Sequence, residues 1–73
     1  MKLRTYTVEE CDSRIAEFQE LTELCDEAIS LVDCILDRTY GSDHAMEART
    51  AIIRVRATAQ RAELAWIDRR PAS

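Results

Sequence analysis

Hydrophobic side chains recur along the first half of the chain at alternating spacings of three and four residues. The series is Val8, Cys11, Ile15, Phe18, Thr22, Cys25, Ile29, Val32, Leu36 and Thr39. This spacing places all of its members on one side of an α-helix. Thr7 and Glu10 stand at the spacing of a capping box, which marks the beginning of such a helix. The pattern therefore predicts a first helix over about residues 8–40.

A second series with the same spacing follows in the other half of the chain. Its members are Ala45, Ala48, Ile52, Val55, Ala59, Ala62 and Trp66. Ser42 or Asp43 can cap the beginning of this helix. Pro71 predicts its end, because the residue before a proline avoids helical dihedral angles. The second helix is expected over about residues 43–70.

The connection between the two helices is short, at residues 41–43, and contains Gly41, which suits the left-handed residue that ends a helix. A connection of this length returns the chain antiparallel to itself. The sequence therefore predicts an all-α fold, a single helical-hairpin domain over residues 1–73. We name the line along which the two hydrophobic series meet the seam.

Folding the two series about Gly41 sets Cys25 opposite Ala59 and Phe18 opposite Trp66. Large residues then meet at the ends of the seam and small ones at its centre, where the helix axes are expected to approach closely. The expected contact of Phe18 with Trp66 closes the open end of the hairpin.

The hairpin has more apolar surface than one seam can bury. In the first helix the apolar arc is widened by Leu21, Leu24, Ala28, Leu31 and Ile35. The second helix carries a separate line of residues, the outer row, which comprises Met46, Ile53, Ala57, Leu64 and Ile67. Arg49 and Arg56 border this row on one side, and Arg54 and Arg61 on the other.

A helix with two apolar sides is expected to be covered on both. The pattern favours a homodimer in which two hairpins form a four-helix bundle, since closed twofold dimers are the commonest oligomers. The interface is expected to contain the outer row with Arg49 and Arg56, together with Leu24, Leu31 and Ile35. A different protein as the partner of this surface remains the open alternative.

Charge is distributed unevenly between the helices. Residues 8–40 have a net charge of −8 and residues 41–70 a net charge of +2, within a chain of net charge −4. This balance opposes direct binding of nucleic acid. The predicted acidic face of the first helix comprises Glu20, Glu23, Asp26, Glu27 and Asp33. An alternative function follows from it, that of a nucleic-acid mimic which blocks the basic groove of a DNA- or RNA-binding protein.

Candidate chemistry is sparse. Glu20, Glu23 and Glu27 have a spacing that holds Mg²⁺ in some all-α nucleotide hydrolases, which makes a metal-dependent hydrolase subunit the second alternative. They lie opposite the seam, however, whereas carboxylates of bundle metal sites project inward. His44 is the one histidine, so no histidine ligand pair exists. We expect no metal, no cofactor and no catalytic residue.

Three cysteines, at positions 11, 25 and 34, show no Cys-x-x-Cys spacing. At ~1.5 Å rise per residue, cysteines this far apart on one helix are too distant for a disulfide. We expect reduced thiols, a cytoplasmic location and no contact with a membrane. The expected function is that of a non-catalytic interaction module that acts stoichiometrically on a partner protein. Adaptors, co-chaperones and inhibitors, some of them encoded by phages or prophages, are of this kind.

Overall fold

A computed structural model describes residues 6–39 and 42–71, which form two long helices packed against each other. Helix α1 spans Val8–Thr39 and helix α2 spans Asp43–Arg69. Contacts between the two ends of the chain, such as that of Asp12 with Arg70, show that the helices run antiparallel. The predicted all-α hairpin is confirmed.

The helix ends are set by the residues that the sequence indicated. The Thr7 hydroxyl oxygen accepts a hydrogen bond from the backbone N–H of Glu10 at 3.1 Å, so Thr7 caps α1. Ser42, rather than Asp43, caps α2, because its hydroxyl oxygen accepts from the N–H of Ala45 at 3.5 Å. The predicted conformation of Gly41 lies outside the described residues.

The end of α2 follows from the proline. Arg70, directly before Pro71, has the extended dihedral angles φ −64° and ψ 123°. Its backbone N–H still donates to the carbonyl oxygen of Ile67 at 3.2 Å, which closes the last turn. The proline therefore ends the helix as predicted, by holding the preceding residue out of the helical region.

The seam holds the small core of the molecule. Cys11, Cys25 and Ala59 are its buried hydrophobic residues among those described, with exposures of 0%, 6% and 1%. Larger seam residues such as Phe18 and Ile29 are half-buried. Burial of Cys25 and Ala59 agrees with the predicted small-residue centre, which lets the helices approach there.

On α2 the face that contacts α1 is rotated from the predicted one. Val55 is 48% exposed and Ala48 is also exposed, so these two members of the predicted series lie at the rim of the seam and not inside it. Arg49 and Arg56 are partly buried instead. The physical reason is that each arginine donates to an aspartate of α1, so its side chain lies across the edge of the seam and is partly shielded from water.

The open end of the hairpin is closed by a different aromatic pair from the predicted one. Within the described part of the chain, the ring that packs against Trp66 is Tyr6, not Phe18, with ring centroids 4.8 Å apart in a T-shaped arrangement. The guanidinium of Arg69 lies 4.9 Å from the centre of the Trp66 ring. Tyr6 reaches Trp66 because it precedes α1 and lies beside the last turns of α2.

The hairpin is a single layer, with extents of 54 × 23 × 12 Å. Its radius of gyration is 16.7 Å, whereas a compact domain of this length has one of about 11 Å. Each helix therefore has one helical neighbour and leaves most of its circumference uncovered. The hairpin therefore presents two broad faces to its surroundings.

Candidate interaction surfaces

Polar side chains cross one edge of the seam at regular intervals and form what we name the ladder. Its four rungs are Asp12–Arg70 at 2.8 Å, Gln19–Glu63 at 2.9 Å, Asp26–Arg56, and Asp33–Arg49 at 2.7 Å. Consecutive rungs are seven residues apart along each half of the chain, with Arg70 directly after the end of α2. Because this heptad spacing returns to the same side of a helix, the rungs lie along one edge and fix the register of α1 against α2.

The ladder changes the environment of two residues expected at an interface with another protein. Arg49 and Arg56 donate to Asp33 and Asp26 of the same chain, so their charges are already matched. Their assignment to an intermolecular interface stays a prediction. In the hairpin their observed contact is with α1.

The same contacts divide the predicted acidic face. Asp26 and Asp33 are neutralised by arginines of α2. Glu20, Glu23 and Glu27 remain exposed, and none of the three forms an ion pair with another described residue. The acidic surface available to a partner is therefore smaller than the sequence indicated, which weakens the case for a nucleic-acid mimic.

The other edge of the seam opens into an apolar groove of about 250 Å³. Its lining residues are Leu24, Cys25, Ala28, Ala51, Ile52 and Val55, drawn from both helices. Three more exposed hydrophobic residues extend it along α1, namely Leu21 at 36%, Leu31 at 66% and Ile35 at 49% exposure. We name these nine residues the groove face.

The outer row lies on α2 beyond the arginines of the ladder. Met46, Ile53, Leu64 and Ile67 are between 41% and 62% exposed. Going around α2 from the seam toward the ladder, the ladder residues come first and the outer row next. The outer row therefore belongs to the broad face that carries the ladder, and the groove face is the opposite one.

The two broad faces differ in composition. The groove face is apolar on both helices. On the ladder face, α2 contributes the outer row, whereas α1 contributes exposed polar positions such as Glu23, Ser30 and Asp37. One face can thus bury both helices against an apolar surface, and the other can bury α2 only.

Another concave region is an open cleft of about 520 Å³ beside the Tyr6–Trp66 pair. Its polar lining includes Glu9, Arg14 and Glu17, of which the last two form an ion pair at 3.0 Å. The described residues include no group of three histidine, cysteine or acidic side chains that could hold a metal ion. None of the three cysteines is in a disulfide, and Cys34 is the exposed one.

The part of the chain with described coordinates has no helix long and apolar enough to cross a membrane. Comparisons with protein-family models, with curated proteins and with solved structures gave no match to this chain. Function is therefore inferred from the two faces and their chemistry.

Proposed function

We propose that this chain is a non-catalytic protein–protein interaction module that acts stoichiometrically, as a homodimer built through the groove face into a four-helix bundle. The observation that carries the proposal is the imbalance between covered and uncovered apolar residues. Three residues are buried in the described part of the chain, whereas nine large hydrophobic side chains are 36–66% exposed. Five of the nine, Leu21, Leu24, Leu31, Ile35 and Val55, belong to the groove face, and an exposed apolar patch of this kind is typical of an interaction site.

The groove face has the composition of a dimer interface. The broad face on which it lies extends 54 by 23 Å, which leaves room for the ~800 Å² that each partner contributes to a standard interface. Leu24 of α1 and Val55 of α2 line the same apolar groove, so both helices contribute to it. A second hairpin can therefore bury side chains of both helices at once, as a four-helix bundle requires.

The ladder face is less suited to self-association. Burying it against a second copy would remove the Asp26–Arg56 and Asp33–Arg49 pairs from water, together with Glu23. Desolvation of an ion pair often costs more than the attraction between its charges returns. The groove face carries no such cost, because its lining is apolar.

Charge favours one arrangement of the two hairpins. Residues 8–40 have a net charge of −8 and residues 41–70 one of +2. A twofold dimer that lays α1 of one copy over α2 of the other juxtaposes opposite charges. It also packs the large leucines of α1 on the alanines of α2, such as Ala51.

The proposed setting is the cytoplasm, where the thiols of Cys11, Cys25 and Cys34 stay reduced. There the dimer would work as an adaptor, co-chaperone or inhibitor, by occupying the surface of another protein. In this role the module has no catalytic turnover of its own.

Two substitutions on α2 test the dimer with a matched control. Val55→Asp puts a charge on the groove face, and Ile53→Asp puts the same charge on the outer row, two residues away. The parent residues are 48% and 41% exposed, so both changes should leave the hairpin folded. Light scattering on a size-exclusion peak should show a dimer for the parent and for Ile53→Asp, and a chain of 8.4 kDa for Val55→Asp.

A parent of 8.4 kDa at tens of micromolar concentration would overturn the homodimer. Loss of the dimer in Ile53→Asp alone would move its interface to the outer row. Circular dichroism of all three proteins verifies that helical content is unchanged.

A further inference from the structure

The outer row remains uncovered when two hairpins associate through the groove face, because it lies on the opposite broad face. Met46, Ile53, Leu64 and Ile67 are all at least two-fifths exposed. From Met46 to Ile67 the row is ~31 Å long at 1.5 Å rise per residue, or about six helical turns. A surface of this shape fits the apolar side of another helix.

The charges beside the row are not equivalent on its two sides. Toward the ladder, Arg49 and Arg56 are paired with aspartates of α1. On the far side stand Arg54 and Arg61, both exposed, and neither forms an ion pair with another described residue.

The far side also has a defined charge order along the helix. Glu47 and Asp68 stand at its two ends, with the two arginines between them and seven residues apart. Arg61 donates to the hydroxyl oxygen of Thr58 at 3.2 Å, which leaves its charge unneutralised. The centre of the row is therefore flanked by positive charge, and this charge identifies the occupant.

We infer that the outer row is a docking site for an amphipathic helix of a partner protein, whose apolar stripe is flanked by acidic residues. Two carboxylates seven residues apart on that helix would face Arg54 and Arg61, while its apolar residues cover Ile53 and Leu64. Helix-in-groove recognition of this kind uses anchors at i, i+3, i+4 and i+7. The inference rests on the proposed function, and it identifies the chemistry of the partner that the second face of the hairpin would bind.

A synthetic peptide of about 22 residues, six turns long, serves as the probe. It carries leucines at i, i+3, i+4 and i+7 along one stripe, glutamates on one flank of that stripe and a fluorescent label. A second peptide has lysines in place of those glutamates. Fluorescence anisotropy at 0.15 M salt should show binding of the glutamate peptide to the parent protein, at least about tenfold tighter than binding of the lysine peptide.

Charge reversal tests the two arginines directly. The double variant Arg54→Glu, Arg61→Glu should lose about tenfold or more in affinity for the glutamate peptide and gain affinity for the lysine peptide. Arg38→Glu, an exposed position near the end of α1, is the matched control and should bind both peptides as the parent does. Leu64→Asp, at a position 62% exposed and therefore tolerant of a polar residue, should abolish binding of the glutamate peptide.

The outcome is separable from that of the dimer test. If the parent is a monomer of 8.4 kDa but the glutamate peptide binds with the stated pattern, the homodimer fails and the docking site stands. If the dimer forms but the parent does not distinguish the two peptides, the docking site is overturned. Assemblies larger than a dimer that Ile53→Asp abolishes would also overturn it, because the row would then take a second copy of this chain.

Discussion

The two edges of the seam use the same heptad spacing with opposite chemistry. On one edge, residues seven apart form the rungs of the ladder, from Asp12–Arg70 to Asp33–Arg49. On the other, Leu21, Ala28 and Ile35 stand seven apart on α1 and lead into the groove. One edge satisfies its groups within the chain, and the other leaves them for a second surface.

The two edges therefore differ in what they contribute: one to the register of the helices, the other to the free energy that apolar burial can supply. Half-exposed ion pairs contribute about 0.2–1 kcal/mol each, so the ladder orders the helices without holding them strongly. Apolar area on the groove edge contributes roughly 25 cal/mol per Å² only after it leaves water. The ladder edge therefore bears on the register of the two helices, and the groove edge would add free energy only if a second surface covered it.

The largest expected effect comes from placing a charge on the groove edge of α1. Leu24→Asp should dissociate the dimer at tens of micromolar, since an uncompensated buried charge costs about 3–5 kcal/mol. Ser30→Asp, on the ladder face of the same helix, is the control and should leave the mass unchanged. Light scattering distinguishes the two. A monomer from both variants would mean that the two faces do not differ as proposed.

The next largest effect is expected from overpacking the seam between the two edges. Ala59 is 1% exposed, so Ala59→Leu has no room and should lower the free energy of unfolding by about 1–3 kcal/mol. Ala16→Leu adds the same atoms at an exposed site of α1 and should change it by less than about 0.5 kcal/mol. Denaturant midpoints at equal protein concentration give the comparison. Equal midpoints would contradict the burial of Ala59.

A single rung should have a smaller effect. In a double-mutant cycle of Asp26→Ala and Arg56→Ala, the coupling energy should be about 0.2–1 kcal/mol and should decrease in high salt. The control cycle pairs Glu27→Ala with Arg56→Ala, two residues that form no ion pair with each other, and should be additive within about 0.3 kcal/mol. Equal coupling in both cycles would show that the rung acts through general charge alone.

The smallest expected effect is a gain in stability at Gln19–Glu63, the one rung of the ladder that is not an ion pair. Gln19 donates to Glu63 at 2.9 Å, and Gln19→Lys would turn this hydrogen bond into an ion pair. We expect unfolding to cost about 0.3 kcal/mol more. Gln19→Glu, which sets two carboxylates against each other at the same rung, is the control and should destabilise the protein instead. A gain in stability from Gln19→Glu as well would contradict a charge effect at this rung.

Much of the hairpin followed from local pattern. Thr7 and Ser42 cap the helices at positions that the sequence predicts, and Pro71 ends α2. Burial of Cys11 and Cys25 agrees with the spacing of apolar residues. These features depend on neighbours within a few turns along the chain, and such neighbours can be read from the sequence.

Features that depend on the partner helix were missed or misplaced. Val55 continues the apolar series of α2 but is exposed, because it lies at the groove edge of the seam while its neighbour Arg56 lies at the ladder edge. Tyr6 lies outside the helical pattern, yet its ring packs on Trp66. The ladder is partly visible in the sequence, because four polar residues of α1 are spaced by seven, namely Asp12, Gln19, Asp26 and Asp33. This spacing does not reveal which residues of the second half of the chain face them.

The sequence by itself determined that the chain forms two helices, where they begin and end, and that their apolar surface exceeds what one seam can bury. These properties arise from backbone hydrogen bonding and side-chain periodicity within each segment. Tertiary structure decided how α2 is rotated, which charges are neutralised and which apolar residues share a face. Those outcomes depend on contacts between residues far apart in the chain, such as Asp12 and Arg70, which are 58 positions apart and whose geometry exists only after the helices meet.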